Sequence, residues 1–320
     1  MELLTCLLLL IALFQYELPV STSDYNSVPY IAELVHSPKP DSLFIPKAGS
    51  PLSFVSSIRA LDPELRNELY IWRDYSSAAY KDDLQEWTCP VCLKAPLSAS
   101  KLPVIVQNVA DTCRAVIVVN PVLREIIVAF RGTQNIQSLI MDFEASLIPW
   151  PKGDPEIKAH KGIASSLDDI LPSVVNTIEY YSKAMPEYQV TITGHSLGGA
   201  HAALLAYHLI RHDATMAARV RLFMYNPPRP GNKAMARLFL KLKVRAWRVV
   251  VEKDVVSTMP PLKSGFSHMG KEIWIKNGDT SLECDTSLLD TENRRCSMYW
   301  PRETTMATFK EHSEFWGVRM

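Results

Sequence analysis

The sequence predicts an α/β fold in which a central, mostly parallel sheet is flanked by helices. Its 320 residues suffice for one large domain whose hydrophobic core is big enough to fold without cross-links. Short apolar runs typical of buried strands alternate with segments of helical periodicity. One strand-like run passes through a sharp glycine-containing turn straight into a helix, and this unit organises the other predictions.

In that unit, residues 188–192 alternate like a strand, and residues 200–209 are dense in alanine and leucine, the best helix formers. Between them Gly194 to Gly198 form the pattern Gly-x-Ser-x-Gly. Glycines remove the β-carbons that would clash, so the serine hydroxyl stands clear of the backbone, and the helix N-terminus favours an oxyanion beside it. Ser196 is therefore the predicted nucleophile. An ordinary glycine-rich turn is the weaker alternative, because the whole chain has only 12 glycines.

Three more strands are predicted before this unit, at residues 104–108, 115–119 and 125–130. The third strand ends at Arg131-Gly132-Thr133. In an α/β hydrolase the loop after this strand provides a hydrogen-bond donor to the oxyanion. Thr133 is the expected donor, and a simple strand-ending turn is the alternative. Two helices are predicted to cover the sheet. One begins at Pro63, and the other spans residues 165–185.

The acid that orients the catalytic base should follow the nucleophile, because α/β hydrolases carry serine, then aspartate or glutamate, then histidine. The apolar strand at residues 245–251 ends at Glu252-Lys253-Asp254. Asp254 is favoured over Glu252, because it leads directly into a turn beside a pocket. The residues of that turn assigned to the acyl pocket are Val256, Met259 and Pro260.

Two histidines follow Asp254, and His312 is the predicted base. It lies in a loop-like segment near the C-terminus, where the base of such a triad belongs, whereas His268 precedes an apolar strand at residues 273–275. His195 lies within the turn and is expected to point away from Ser196. The histidines expected at the surface of the helix after the nucleophile are His201, His208 and His212.

A short helix is predicted over residues 134–143. Its apolar residues recur at helical spacing and form one face: Ile136, Leu139, Ile140 and Phe143. Such a helix is either part of the core or a lid that shields the nucleophile in water and opens at a lipid surface. The lid is the favoured interpretation, and its apolar face would also line the acyl pocket.

The N-terminal region predicts export. Residues 3–14 form a continuous apolar run followed by small residues, as in a secretory signal peptide, although Glu2 is atypical and a signal anchor is the alternative. We assign residues 1–23 to this signal and the proline-rich residues 24–62 to a propeptide or loose arm. The catalytic domain then covers residues 63–320, and the protein is expected to be secreted.

The cysteines fit an oxidising compartment. Cys89 and Cys92 suit a small structural disulfide better than a zinc or redox site, because no second Cys-x-x-Cys motif or close histidine pair accompanies them. Cys284 and Cys296 flank a polar stretch and form the second expected disulfide. Cys113 is left as a buried free thiol.

Charge offers no sign of a nucleic-acid partner. Lysine and arginine together number 34, as do aspartate and glutamate, and no basic run stands out. We therefore expect no nucleic-acid partner and a neutral substrate. The serine-based chemistry implies no cofactor and no metal, and the protein is expected to be a monomer.

Taken together, the motifs resemble the class 3 family of secreted fungal triacylglycerol lipases, across residues 63–317. The matching segments are Phe130-Arg131-Gly132-Thr133 with Asp142, His160-Lys161-Gly162, residues 193–200, Pro228-Arg229-Pro230-Gly231, Asp254 with Pro260-Pro261, Gly265-Phe266-Ser267-His268 and residues 312–317. The resemblance implies an α/β-hydrolase fold, Ser196 as nucleophile, Asp254 as acid and His312 as base. It also implies an oxyanion hole made by Thr133 and the N–H of Leu197.

The sequence departs from the family pattern in several places. Lys81 stands where the family often has a cysteine, and the partner cysteine near the C-terminus is missing too. Leu139 replaces a tryptophan in the lid, and the usual Asp-x-Val-Pro becomes Asp-Val-Val-Ser, which ends at Ser257. We expect these changes to affect substrate preference more than the chemistry.

The favoured function is hydrolysis of triacylglycerol esters at a lipid–water interface through an acyl-enzyme. A soluble carboxylesterase such as a feruloyl esterase is the first alternative, and the apolar face of the predicted lid argues against it. A catalytically silent lipase-like binding protein is the second, and the complete serine, aspartate and histidine set argues against it.

Overall fold

The computed structural model describes residues 58–136, 144–278, 280–286, 291–299 and 311–320. The strands are β1 (Ile58–Ala60), β2 (Val104–Gln107), β3 (Arg114–Asn120), β4 (Glu125–Phe130), β5 (Leu147–Pro149), β6 (Lys158–His160), β7 (Gln189–His195), β8 (Val220–Tyr225), β9 (Gly231–Asn232), β10 (Arg245–Val251), β11 (Phe266–Ser267), β12 (Lys271–Asn277), β13 (Thr280–Cys284), β14 (Glu314–Phe315) and β15 (Val318–Arg319). The α-helices are α1 (Pro63–Ala78), α2 (Lys161–Asp168), α3 (Leu171–Ala184), α4 (Leu197–His212), α5 (Met216–Arg219) and α6 (Lys233–Lys241).

Nine of these strands form the main sheet, in the order β1-β13-β12-β10-β8-β7-β4-β3-β2. The five central strands β4, β7, β8, β10 and β12 run parallel, and the pairs at both edges are antiparallel. Parallel strands are covered on both faces, which explains why β4 is buried throughout and is apolar at every position after Glu125. The predicted mostly parallel sheet is therefore present.

Strand β4 divides its side chains between two hydrophobic cores, one on each face of the sheet. Ile126 and Val128 pack into the core that α2, α3, α4 and α6 cover. Ile127 and Ala129 pack into the opposite core, to which α1 contributes Leu69, Trp72 and Tyr75. None of the helices that the structure describes has both the length and the apolar character required to cross a membrane.

The helix predicted over residues 165–185 is two helices, α2 and α3, and the sequence assignment was wrong in its extent. Helix α2 begins at Lys161, where the imidazole Nδ1 of His160 accepts a hydrogen bond from the Ile163 N–H at 3.4 Å. Helix α3 starts again at Leu171, with proline as its second residue. Proline is favoured in a first turn, where its missing N–H costs no helical hydrogen bond, so it marks a new start.

Strand β1 moves the start of the domain. The sequence placed residues 58–60 in a loose arm, but they pair antiparallel with β13, and Ile58 lies opposite Cys284. Arg59 also forms an ion pair with Glu283, with 2.8 Å between Nε and Oε2. The sequence placed the boundary at residue 63 and missed strand β1, because an exposed edge strand of three residues has no core-facing apolar pattern. Residues 1–57 lie outside the described part of the chain.

Two disulfides are present, between Cys89 and Cys92 and between Cys284 and Cys296. Cys113 is a buried free thiol, and burial raises its pKa to about 12. A thiol held so firmly in its protonated form is a poor nucleophile, so Cys113 acts as a small apolar side chain in the core.

His201 is not the surface residue that the sequence predicted. It is fully buried in helix α4, and its Nε2 lies 2.8 Å from Ser166 Oγ on α2. Helix α4 is covered on almost every side, so helical spacing alone could not assign this histidine to an outer face. Of the other two histidines, His208 is half-buried and His212 is exposed.

This burial predicts a pH-dependent contribution to stability. Burial lowers the pKa of His201 from 6.5 to about 3, so the unfolded chain binds a proton below pH 6.5 that the folded chain does not. The free energy of unfolding should therefore fall by about 1.4 kcal/mol per pH unit from this group as the pH drops from 6.5 toward 3. His201→Asn should remove that part of the slope in urea unfolding at pH 7, 6, 5 and 4. His212→Asn, an exposed change on the same helix, should keep it, and an unchanged slope in His201→Asn would contradict the argument.

Candidate active site

Ser196 lies on the sharp turn between strand β7 and helix α4. Its backbone has φ 55° and ψ −130°, a conformation that non-glycine residues rarely adopt and that costs free energy. The Ser196 N–H donates to the carbonyl oxygen of Tyr225 at the end of β8, at 2.8 Å. The surrounding sheet therefore holds the strained turn in place.

The glycines of this turn are required by close backbone contacts. A β-carbon on Gly194 would lie 2.3 Å from the carbonyl oxygen of Gly198. A β-carbon on Gly198 would lie 2.3 Å from the carbonyl oxygen of Phe130, at the end of β4. Both distances are far too short for real atoms, so no larger residue fits without moving the backbone.

The expected oxyanion donors lie beside this turn. Leu197 is the first residue of helix α4, where backbone N–H groups have no partner within the helix. Thr133 follows Gly132, and a β-carbon on Gly132 would be 3.1 Å from the β-carbon of Ser196. The loop after β4 therefore touches the nucleophile. Thr133 Oγ1 itself accepts a hydrogen bond from the Asn135 N–H at 3.2 Å.

Asp254 is buried just beyond the end of strand β10, where its carboxylate is surrounded by donors. Oδ2 accepts hydrogen bonds from the N–H of Ser257 at 2.9 Å and from Ser257 Oγ at 2.6 Å. Oδ1 accepts from the N–H of Val256 at 3.3 Å and lies 2.8 Å from Nδ1 of His312. These contacts occupy both carboxylate oxygens and fix the orientation of the Asp254 side chain.

His312 is completely buried, and its two ring nitrogens have different roles. Nδ1 is bonded to Asp254, which fixes the orientation of the ring. Nε2 and the hydroxyl of Ser196 are both buried, and neither has a hydrogen-bond partner in the described ranges. Catalytic hydrogen bonds are often formed only when substrate is bound, so this pair of open groups suits a base and its nucleophile.

The backbone of His312 is anchored as firmly as its ring. Its carbonyl oxygen accepts hydrogen bonds from Asn226 Nδ2 at 3.0 Å and from His195 Nε2 at 2.8 Å. Because a carbonyl oxygen only accepts, His195 Nε2 carries the proton and Nδ1 must accept one. Tyr80 provides it, with 2.7 Å between its hydroxyl oxygen and His195 Nδ1.

This arrangement needs neutral, correctly protonated side chains. Burial, followed by the nearby His312, holds the pKa of His195 well below its ordinary value. Burial also raises the pKa of Tyr80, so its hydroxyl keeps the proton it donates. His195 thus faces the segment that carries His312.

Sequence reasoning missed Tyr80, Asn226 and Ser257 as parts of the site. Tyr80 is 115 residues from its partner His195, and no local pattern connects the two. Asn226 gave a weak signal, because a polar residue directly after a buried strand often serves a site. Ser257 had been noted only as a departure from the family pattern.

The rejected candidates for acid and base lie elsewhere. His268 is buried, and its Nε2 donates to the carbonyl oxygen of Ser257 at 2.7 Å rather than to a carboxylate of the triad. Glu252 is half-buried, and it lines a separate cavity of about 720 Å³ together with Glu311 and Trp316. The structure therefore brings together Asp254 and His312, as the sequence predicted.

The predicted lid is described only at its start. Ile136 is helical and half-buried, whereas Leu139, Ile140 and Phe143 lie outside the described residues. Of the turn residues assigned to the acyl pocket, Val256 and Pro260 are buried and Met259 is half-buried.

A cavity of about 500 Å³ adjoins Leu197. Its lining residues are not those assigned to the predicted acyl pocket, and most of the surface that they expose to the cavity is apolar. They are Thr112, Glu144, Ser146, His160, Lys161, Gly162, Ile163, Ser165, Ser166 and Leu197.

One group of three possible metal ligands occurs in the described residues, Glu272 with Cys284 and Cys296. The two sulfurs are joined in a disulfide, and Glu272 forms an ion pair with Arg248 at 2.9 Å. Cysteine binds metal as a thiolate, so this group does not form a metal site.

Comparison with known proteins points to one family. The family model for Lipase (class 3) matches residues 127–264. A lipase of Rhizomucor miehei is 30% identical over 277 residues, which cover 83% of this chain and 73% of that protein. A lipase of Rhizopus niveus is 28% identical, and the match covers 65% of this chain but only 53% of that protein.

Among solved structures, a triacylglycerol lipase whose catalytic centre is a serine protease triad is similar to this chain. It has a TM-score of 0.74 and 28% identity, and the match covers 82% of this chain and 98% of that one. The α/β-hydrolase fold predicted from the sequence is therefore confirmed.

The support for the His312 segment predicts an effect of Tyr80→Phe. This change leaves His195 Nδ1 buried without its donor, and the anchor of the His312 carbonyl is weakened. We expect the protein to react with a serine-directed phosphonate about fivefold more slowly, the equivalent of one neutral hydrogen bond. Tyr180→Phe, a change at an exposed tyrosine, is the matched control. Equal labelling rates for Tyr80→Phe and the parent protein would show that the anchor does not affect Ser196.

Proposed function

Because this chain belongs to the class 3 lipase family of α/β-hydrolase enzymes, we propose that it hydrolyses the carboxylic ester bonds of triacylglycerols. The observation that carries the proposal is the 2.8 Å contact between Asp254 Oδ1 and His312 Nδ1, together with the absence of a hydrogen-bond partner, among the described residues, for both His312 Nε2 and the Ser196 hydroxyl. An orienting acid, a base and a nucleophile whose hydroxyl has no other hydrogen-bond partner are the parts that acyl transfer requires.

In the first step, His312 Nε2 takes the proton of Ser196 Oγ, and the serine oxygen attacks the ester carbonyl carbon. Asp254 stabilises the imidazolium that forms, because its carboxylate is bonded to Nδ1. The negative charge on the former carbonyl oxygen is received by the N–H of Leu197 and by Thr133. His312 then protonates the leaving alcohol, and a fatty acyl group remains on Ser196.

In the second step, water replaces the alcohol. His312 removes a proton from the water, whose oxygen attacks the acyl carbon, and a second oxyanion forms at the same donors. Collapse of this intermediate returns the proton to Ser196 and releases the fatty acid. None of these steps requires more than the side chains and backbone N–H groups named.

Action at a lipid–water interface is the further part of the proposal. The apolar sequence pattern of residues 136–143 supports it, since such a face would be covered in water and accommodated in lipid. The proposed preference for triacylglycerols over polar esters rests on the same pattern together with Val256, Met259 and Pro260.

We also propose that the protein is secreted as a monomer, with residues 1–23 as its signal peptide. The apolar run at residues 3–14 supports export. The disulfides Cys89–Cys92 and Cys284–Cys296 support an oxidising compartment. The intact mass of the secreted protein should correspond to a chain without residues 1–23. If the segment is instead a signal anchor, the measured mass should include these residues.

Replacing the nucleophile tests the chemistry. Ser196→Ala removes the attacking oxygen, so hydrolysis of an emulsified long-chain triacylglycerol should fall by about four orders of magnitude or more. Asp254→Asn should cost a similar factor, because the amide holds the imidazole in the wrong tautomer. Fatty acid release by pH-stat titration measures both. Residual hydrolysis by Ser196→Ala above 1% of the parent rate would exclude this nucleophile.

Substrate choice is tested by comparing emulsified triolein with methyl ferulate. We expect triolein to be the better substrate, with a rate that rises steeply once the substrate exceeds its solubility, because an apolar lid opens at an interface. Preference for the ferulate would favour a soluble esterase. No reaction with either ester or with a serine-directed phosphonate would favour a silent binding protein.

A further inference from the structure

The two carboxylate oxygens of Asp254 have different hydrogen-bond partners. Oδ1 faces the ring of His312 at 2.8 Å, whereas Oδ2 is held by a single residue, Ser257. Ser257 reaches Oδ2 with its backbone N–H at 2.9 Å and with its hydroxyl at 2.6 Å. Both residues are buried, so water does not substitute readily for either donor.

Two donors on one oxygen restrict how the carboxylate can turn. Rotation about the Cβ–Cγ bond would break both hydrogen bonds to Ser257 and also move Oδ1 away from His312. The hydroxyl bond is short and charge-assisted, which places it among the stronger hydrogen bonds in proteins. The same donors also lower the electron density that Oδ1 offers to the imidazole.

The backbone of Ser257 is held in place by a chain of buried hydrogen bonds. His268 Nε2 donates to its carbonyl oxygen at 2.7 Å, and the His268 N–H donates to Glu292 Oε1 at 2.9 Å. The guanidinium of Arg229 makes two hydrogen bonds to Glu292, at 2.8 and 2.7 Å, and a third to the carbonyl oxygen of Pro260 at 2.8 Å. All five residues are buried, so the turn that carries Ser257 has little freedom to move.

We propose that Ser257 is a positioning residue for the reaction: it aims Asp254 at His312 and limits how strongly Asp254 stabilises protonated His312. This inference rests on the proposed ester hydrolysis. Without the Ser257 hydroxyl, the carboxylate would face His312 for less of the time, which slows the reaction. While it does face His312, it would stabilise the imidazolium more strongly, because its negative charge is no longer shared with that hydroxyl. His312 would then become available as a base only at higher pH.

Other charged groups near this acid have to be considered in a pH experiment. On the same loop as Asp254 lie Glu252 and Lys253, and Glu311 approaches from the segment of His312, where its carboxylate accepts from the Lys253 N–H at 3.3 Å. Burial, and then Glu252, raise the pKa of Glu311. His195 lies against the His312 ring, with 4.7 Å between ring centroids. None of these groups contacts the Ser257 hydroxyl in the described residues, so its removal leaves their direct partners in place.

The test is the pH dependence of kcat and kcat/KM for Ser257→Ala, with a soluble p-nitrophenyl ester as substrate. We expect kcat to fall about tenfold with little change in KM, because a charge-assisted hydrogen bond acting on the reacting groups is lost. The midpoint of the acidic limb of kcat/KM should move up by about half a pH unit or more. Ser257→Thr keeps the hydroxyl and should restore both properties.

Thr258→Ala is the matched control. Its hydroxyl belongs to the same short turn but donates to the carbonyl oxygen of Val255 at 2.6 Å, away from Asp254. Thr258→Ala should leave the acidic limb unchanged, and thermal unfolding of each variant will show whether the fold is retained. A second readout is the low-field proton resonance of the His312–Asp254 hydrogen bond, which should shift in Ser257→Ala only.

The results distinguish a failure of the proposed ester hydrolysis from a failure of the proposed role of Ser257. A parent protein that hydrolyses no ester overturns the proposed function. An active parent with a folded Ser257→Ala variant of unchanged kcat, acidic limb and proton resonance overturns the role of Ser257 alone. An equal shift of the acidic limb in Thr258→Ala would also overturn it, because the effect would then come from the turn as a whole.

Discussion

Close contact between backbones at the start of helix α4 is the constraint on which the rest of the site depends. Gly198 lies against the end of strand β4, and Gly194 lies against Gly198, so the helix begins almost in contact with the sheet. The parallel register, with Phe130 opposite Gly194 and His195 opposite Tyr225, fixes the same geometry from the strands. One arrangement therefore sets the strained serine, the helix N-terminus and the loop of Thr133 relative to one another.

His312, the proposed base, is held beside the elbow by hydrogen bonds rather than by close contact between backbones. His312 is on a segment separated from the elbow by more than a hundred residues, and the contacts that hold it are made to its main-chain carbonyl by His195 and Asn226. Anchoring the backbone leaves one ring nitrogen for Asp254 and the other open toward substrate. Hydrogen bonds between neutral groups suffice here, so the anchor adds no charge near a site that must stabilise a transient anion.

Local patterns predicted what local geometry determines. The elbow at Ser196, the strand before Asp254 and the order of acid and base could be predicted because each depends on a few adjacent residues and on chain order. Tyr80 and Ser257 were not recognised, because their roles arise from side-chain hydrogen bonds that depend on exact packing. His201 was wrongly assigned to the surface for a related reason. Helix α4 is enclosed by the sheet and by neighbouring helices, so His201 is buried and forms its hydrogen bond with Ser166 inside the core.

The ribosome delivers the three proposed catalytic groups one after another. Ser196 emerges first, Asp254 follows, and His312 comes a further 58 residues later. Domains fold as units while synthesis proceeds from the N-terminus, so a growing chain can form the elbow before its base exists. Until the His312 segment joins Asn226 and His195, the serine has no group to take its proton. A nascent chain therefore lacks the proposed base for ester hydrolysis until its last segment has folded.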